Sequence, residues 1–242
     1  MIAWLKELLG SSVGKKLLMA LSGLLLLGFL VFHLAENLLI YADRQGSAFD
    51  QYVHTLTSFA WLPLAELALA ALFLVHIVQA VRVSLQNRAA RRTPYVLNPG
   101  HGGRTLASTS MLVTGSVVLL FLLVHLLQFR FAPEDERHGM AHLVRSQFAQ
   151  PLTLGVYLLG LIALGIHLAH GLQSALQSLG LSHPRFTPLV RRLALLLAVL
   201  LVLGFATFPV YFYCSGGARC GASTPGCPPA RWLSAGRATS ST

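Results

Sequence analysis

Hydrophobic positions fall into five long runs: Leu17 to Tyr41, Trp61 to Val81, Leu106 to Phe129, Leu152 to Leu172 and Leu193 to Tyr213. Each is close to the ~20 residues a helix needs to cross a hydrocarbon core of about 30 Å at 1.5 Å per residue. The pattern predicts an all-α membrane protein with five transmembrane helices, at about 17–41, 61–82, 106–129, 152–177 and 193–213, forming one domain over residues 1–213. Residues 214–242 read as a flexible Gly/Pro/Ser-rich tail. The first run follows Lys15 and Lys16, as a secretory signal would, but it is too long for one and no small-x-small cleavage site follows it, so it counts as structure. Before it, Ile2, Trp4, Leu5, Leu8 and Leu9 around Lys6 and Glu7 suit a short surface-lying segment or a frayed terminus equally well. No internal repeat, glycine-rich nucleotide loop or catalytic-triad motif stands out.

Composition agrees with this picture: of 242 residues, 55% are hydrophobic and only 11% charged, against about a quarter charged in soluble domains. The net charge of +10 invites a nucleic-acid reading, but its placement argues against one. Lys6, Lys15 and Lys16 precede the first helix; Arg82, Arg88, Arg91, Arg92 and Arg104 lie between the second and third; Arg185, Arg191 and Arg192 lie between the fourth and fifth. The opposite loops mix Asp43, Asp50, Glu134, Asp135 and Glu136 with Arg44, Arg130, Arg137 and Arg145. The positive-inside rule then places the N-terminus in the cytoplasm and the C-terminus outside a bacterial cytoplasmic membrane. Cys214, Cys220 and Cys227 fall in the periplasmic tail, where one disulfide with one thiol left over is an option and a zinc site is a poor fit.

Ionisable residues within a span are costly and mark function by default. Five of the ten histidines sit there: His33, His76, His125, His167 and His170. With the first and third helices running outward and the second and fourth inward, His33 and His125 lie 16 and 19 residues from the inner ends of their runs, roughly 24 to 28 Å from the cytoplasmic boundary. His76 and His167 each lie 15 residues from the outer ends of theirs, about 8 Å above that boundary. Two depth-matched pairs suit two bis-histidine haems stacked within a bundle of the first four helices, one toward each face and about 16 to 20 Å apart, with the fifth helix packed outside. Mononuclear zinc or copper would need three or four converging ligands, which paired depths do not provide. A proton relay of histidines is the rival, although it does not require matched pairs. The absence of a Cys-x-x-Cys-His motif points to b-type haem.

Around these histidines the chain resembles the cytochrome b subunit of the di-haem succinate dehydrogenase and fumarate reductase (succinate:quinone oxidoreductase) family. The likeness rests on Phe32, His33, Leu34 and Asn37; on Leu74, Val75, His76 and Ile77 with Arg82, Asn87 and Arg88; and on Leu123, Val124, His125 and Leu126 with Gln128 and Phe129. Its most specific stretch is His167-Leu168-Ala169-His170-Gly171-Leu172, followed by Ser174, Ala175, Gln177, Leu179-Gly180-Leu181 and His183-Pro184. The resemblance implies that the histidine four residues before the glycine, His167, is the fourth iron ligand, with His170 surplus and next to the inner haem. It also implies the same pairing of helices as depth does. A flavoprotein subunit with FAD and an iron-sulfur subunit on the cytoplasmic side, a membrane quinone (menaquinone the better guess), and room for a dimer of the whole complex follow from it. The tail after Cys214 departs from the family pattern. Cytochrome b subunits of hydrogenase or formate dehydrogenase type also use paired helix histidines and stay open as an alternative.

A quinone exchanges protons with its electrons, so acids near a haem are candidates for its site. Glu36 and Glu66 are the only carboxylates within the apolar runs, and both fall near the outer haem; a structural role is an even alternative. Lys15, Lys16, Arg82 and Arg104 are placed to meet inner haem propionates, and Arg44 and Arg130 outer ones, although membrane-anchoring alone accounts for each. Gly23, Gly28, Gly155, Gly160 and Gly165 are candidates for close approach of a macrocycle or a neighbouring helix.

Overall fold

The computed structural model describes residues 10–89, 111–132, 139–181, 183 and 185–219. Among them there are helices and connections but no strand. The helices are α1 (Ser12–Asn37), α2 (Ser47–Ser58), α3 (Leu62–Ala89), α4 (Met111–His125), α5 (Gly139–Phe148), α6 (Pro151–Ser178) and α7 (Thr187–Arg219). A 3-10 turn, Leu38–Tyr41, extends α1, and a π-helical turn, Leu126–Arg130, extends α4. Five helices are long and apolar enough to cross a membrane, within Val13–Tyr41, Leu62–Gln86, Met111–Arg130, Pro151–Ser178 and Thr187–Ser215.

Local chemistry sets several helix ends. Ser11 caps α1, its hydroxyl accepting from the Gly14 N–H at 3.0 Å, and Pro151 occupies the first turn of α6, where no backbone donor is missed. The last helix runs to Arg219, six residues past the expected end, so Cys214 lies on α7 and is exposed rather than in a tail. Cys220, Cys227 and Arg104 lie outside the described residues, as do residues 1–9.

The two short helices, α2 and α5, are absent from the hydropathy pattern because each is amphipathic and shorter than a span. They lie on the same end of the bundle and pack together as a cap. Asp43 starts the cap: its carboxylate accepts from the N–H groups of Gln45, Gly46, Ser47 and Ala48 and from the Ser47 hydroxyl. Those donors, Ala48 foremost, hold its carboxyl far below the usual carboxylate range. Asp50 on α2 then receives the Ala141 N–H of α5 at 2.7 Å. Gly46 and Gly139 both take positive φ (82° and 72°), and a Cβ on either would collide, at 2.6 Å, with Ala141 or with the Asp50 carboxylate.

A core of buried apolar side chains lies beneath this cap. Ile40, Phe49, Ala141, Val144, Phe148, Tyr157, Phe208 and Phe212 are buried together there, so the cap end is held by packing between several elements at once. Many leucines along the spans are more than half exposed, for example Leu25, Leu64, Leu120 and Leu159. That is the surface a helix offers to lipid.

Candidate functional site

Four histidines meet as two pairs inside the bundle. His33 on α1 faces His125 on α4 with ring centroids 5.9 Å apart and planes at 84°. His76 on α3 faces His167 on α6 at 6.3 Å and 77°. The pairs that depth predicts are thus the pairs brought together.

Their levels follow from contacts along single helices. Ser22 on α1 touches His76, and Thr114 on α4 touches His167. His33 and His125 stand eleven residues beyond Ser22 and Thr114 respectively, a rise of about 16 Å on each helix. The His33–His125 pair is nearer the cap.

In each ring Nδ1 is engaged by a neighbouring side chain. His33 Nδ1 lies 2.8 Å from Glu36 Oε1, His125 Nδ1 3.1 Å from the Tyr157 hydroxyl, His76 Nδ1 3.2 Å from the Ser22 hydroxyl, and His167 Nδ1 3.5 Å from that of Thr114. Ser22 already donates its hydrogen to the Met19 carbonyl at 3.1 Å, and Thr114 donates its own to the Met111 carbonyl at 3.2 Å. Their oxygens are therefore set to accept Nδ1–H, which leaves Nε2 of each far-side histidine as the ring's lone-pair donor. An outer partner that fixes the tautomer in this way is what metal-bound histidines have.

This geometry can be set against the demands of haem. Two imidazoles on opposite faces of one iron, with metal–nitrogen bonds of about 2.0 Å and ring centres roughly 1.1 Å further on, place their centroids about 6.2 Å apart. The observed 5.9 and 6.3 Å bracket that value. Each level also keeps a buried amide oxygen without a partner among the described residues, Gln79 Oε1 and Gln128 Oε1, three residues beyond His76 and His125. Among the described residues no three His, Cys, Asp or Glu side chains converge as a mononuclear metal site would require. The residues fit two bis-histidine haems.

The walls of the two levels differ. Around the cap-side pair, Phe29 stacks on His33 at 5.3 Å, Phe205 lies 5.9 Å from it, and Phe121, Phe129 and Tyr157 surround His125 at 5.4 to 6.1 Å. The far pair sits instead against two glycines. A Cβ on Gly23 would stand 3.1 Å from His76 Cε1, and one on Gly115 3.4 Å from His167 Cε1. Gly23 was expected to admit a close neighbour, Gly115 was not singled out, and Gly28 and Gly155 face open space. Gly171, at the centre of the sequence motif, meets only Met111, at an ordinary 3.8 Å.

The remaining candidates separate. Glu36 joins the cap-side pair: Oε1 contacts His33, and Oε2 receives the Tyr52 hydroxyl of α2 at 2.8 Å. Burial, then that bond and the charge of Glu36, pushes the Tyr52 phenol up to about 12. Glu66 pairs instead with Arg130 of the π-helical turn, Nε to Oε1 at 2.7 Å and Nη2 to Oε2 at 2.9 Å, in a partly exposed fork. Lys15 is half-buried in the first turn of α1, and Lys16 and Arg82 are exposed. His170 is half-buried one turn from His167 and makes no hydrogen bond among the described residues.

Ser22, Thr114, Tyr157, Tyr52 and Asn37's bond to the His33 carbonyl at 2.7 Å were not read as site residues from the sequence. A signal for two of them exists. Met19-x-x-Ser22-Gly23 and Met111-x-x-Thr114-Gly115 share a pattern, and a histidine follows each methionine by fourteen residues. Each half then runs long helix, short helix, long helix, so α1–α3 and α4–α6 repeat one plan. A few matched positions in leucine-rich helices are hard to see before the contacts single them out. Comparison of the chain with protein-family models, with curated proteins and with solved structures finds no match.

Proposed function

We propose that the chain is the membrane-anchor, di-haem cytochrome b subunit of a succinate:quinone oxidoreductase, carrying electrons between a cytoplasmic iron-sulfur subunit and a membrane quinone. The observation that supports it most is the pair of histidine couples, each at the spacing of one six-coordinate iron and each with Nδ1 engaged by a neighbouring side chain. Two b haems would supply one-electron transfer across the bilayer at these couples. On the positive-inside assignment the cap faces outward, which makes His33 and His125 the outer pair and His76 and His167 the inner one. The choice of succinate rather than hydrogen or formate as the ultimate donor rests on the sequence pattern that follows His167.

The chain's own residues have definite roles in this reading. Ser22 and Thr114 hold the inner imidazoles in one tautomer; Tyr157 and Glu36 hold the outer ones. Glu66, in its fork with Arg130 near the outer end of α3 and α4, is the acid best placed to exchange protons with a quinone arriving from lipid. Both acids are partnered, Glu36 with His33 and Tyr52 and Glu66 with Arg130, and Glu66 is preferred because its carboxylate reaches the bundle surface while that of Glu36 is mostly buried. Lys15, Lys16 and Arg82 serve the cytoplasmic boundary, as propionate partners or as anchors.

Purification in mild detergent, with haem quantified by pyridine haemochrome and co-purifying subunits identified, tests the reading. The expected result is two non-covalent b haems per chain, with a flavin-bearing and an iron-sulfur subunit, and reduction of the haems on adding succinate. A haem-free chain would turn the reading toward a histidine relay; haem reduced by hydrogen or formate but not succinate would move it to the other quinone-linked complexes.

A further inference from the structure

Of the four Nδ1 partners, three are neutral hydroxyls and one is a carboxyl group. Glu36 is three residues beyond His33 on the same helix, its side chain only 16% exposed, and both of its oxygens are used. If Nε2 of His33 binds iron, the ring's only N–H is at Nδ1, so Glu36 Oε1 must be the acceptor at 2.8 Å. Asn37 Nδ2, 3.2 Å from the same Nδ1, is itself a donor, given to the His33 carbonyl at 2.7 Å, and cannot accept the Nδ1 hydrogen. Tyr52, carried in by the cap helix α2, donates to Glu36 Oε2 at 2.8 Å and fixes the carboxyl's rotation.

A carboxylate that accepts Nδ1–H draws the proton toward itself and makes the ring a stronger electron donor to a metal on Nε2. Stronger donation favours the more positive iron, so the ferric form gains over the ferrous one. A hydroxyl acceptor does this far less, because it carries no net charge. We infer that Glu36, clamped by Tyr52, is a positioning residue that lowers the reduction potential of the cap-side haem through His33. The inference rests on the di-haem reading. It also gives the cap a purpose, since α2 then tunes an electron carrier inside the membrane through one phenol.

The test is an optical redox titration of the full chain, purified in mild detergent with whatever subunits accompany it. Glu36→Gln should raise the potential of one haem by at least a tenfold change in its reduction equilibrium, about 59 mV for a one-electron couple, and leave the other unmoved. Tyr52→Phe should act in the opposite direction, roughly threefold, because a carboxylate that loses its phenol donor pulls harder on Nδ1–H. Looser packing of the cap alone would not give opposite signs. Two bound haems with unchanged potentials in Glu36→Gln, or shifts of one sign in both variants, overturn the inference while leaving the di-haem reading standing. If Glu36→Gln loses the cap-side haem, Tyr52→Phe decides alone: a lowered potential supports the inference, an unchanged or raised one ends it. No haem in the unaltered chain removes the reading beneath it instead.

Discussion

The two histidine levels use the same ring chemistry and are supported in different ways. Near the cap, His33 and His125 stand among five aromatic rings beside the buried apolar core, with a carboxyl group and a phenol on their outer nitrogens. At the other level, His76 and His167 lean on Gly23 and Gly115 and on two hydroxyls that are each tied to a carbonyl three residues back. The first level is positioned by bulk and the second by a near-symmetric cradle that is tight at Gly23 and just in contact at Gly115. Rings held by bulk tolerate small substitutions around them, since several neighbours share the contact; a ring held against a bare backbone tolerates only what the gap admits, which is less at Gly23 than at Gly115.

On the di-haem proposal, the sharpest break in this comparison is to remove one histidine from each level. His167→Ala should abolish the far-side haem and halve the haem per chain, leaving the cap-side haem at least partly in place, whereas His33→Ala should do the reverse; optical spectra and haem content distinguish the two. His170→Ala should keep both haems. Loss of the far-side haem in His170→Ala with retention in His167→Ala would shift the ligand by one turn of α6.

Next in size is Gly23→Leu. Its Cβ alone comes within 3.1 Å of His76 Cε1, so the larger side chain should displace the imidazole and cut far-side haem occupancy severalfold, with the cap-side haem unaffected. Gly115→Ala, with 3.4 Å available, should be nearly silent. Equal losses at both levels from Gly23→Leu would mean that the levels are not supported independently.

Removing the hydroxyls is a finer probe. Ser22→Ala should weaken far-side haem retention by about 10-fold, near the lower end of what lost outer partners of metal-bound histidines cost. Thr114→Ala should cost less, because its contact is 3.5 Å against 3.2 Å for Ser22. Haem loss to an acceptor protein gives both rates.

The smallest effect concerns the cap. With its pKa pushed up to about 12 from an unfolded value of about 10, Tyr52 favours docking fully while both states are protonated. The contribution is complete below about pH 10 and fades as pH rises toward 12, because the undocked phenol ionises first. The tyrosinate absorbance lost on Tyr52→Phe should therefore be a late-titrating component, and Glu36→Gln should bring that component only part of the way back toward the ordinary range, because burial is the larger cause.

Hydropathy made the spans legible because a bilayer demands about twenty apolar residues whatever the fold does. The same arithmetic, applied to helices of alternating direction, was enough to sort four histidines into two levels. Helix ends were less legible: α7 passes Tyr213 to reach Arg219, and α1 starts at Ser12 rather than Leu17, since polar residues at a membrane boundary continue a helix without showing in a hydrophobic run.

By itself, then, the sequence determined the number of long helices and the height of each histidine, both of which depend only on rise per residue and the cost of polarity in lipid. Tertiary structure decided everything that depends on rotation about a helix axis. It turned Glu36 toward His33 and Glu66 toward Arg130, two acids that depth alone could not tell apart. It set Gly115, not Gly171, beside His167. It also folded two short helices into a cap that brings Tyr52 onto Glu36, sixteen positions away in the chain. Height along a helix is a sum over residues and can be counted, whereas the facing of a side chain depends on which neighbour occupies each groove, and only the packed bundle settles that.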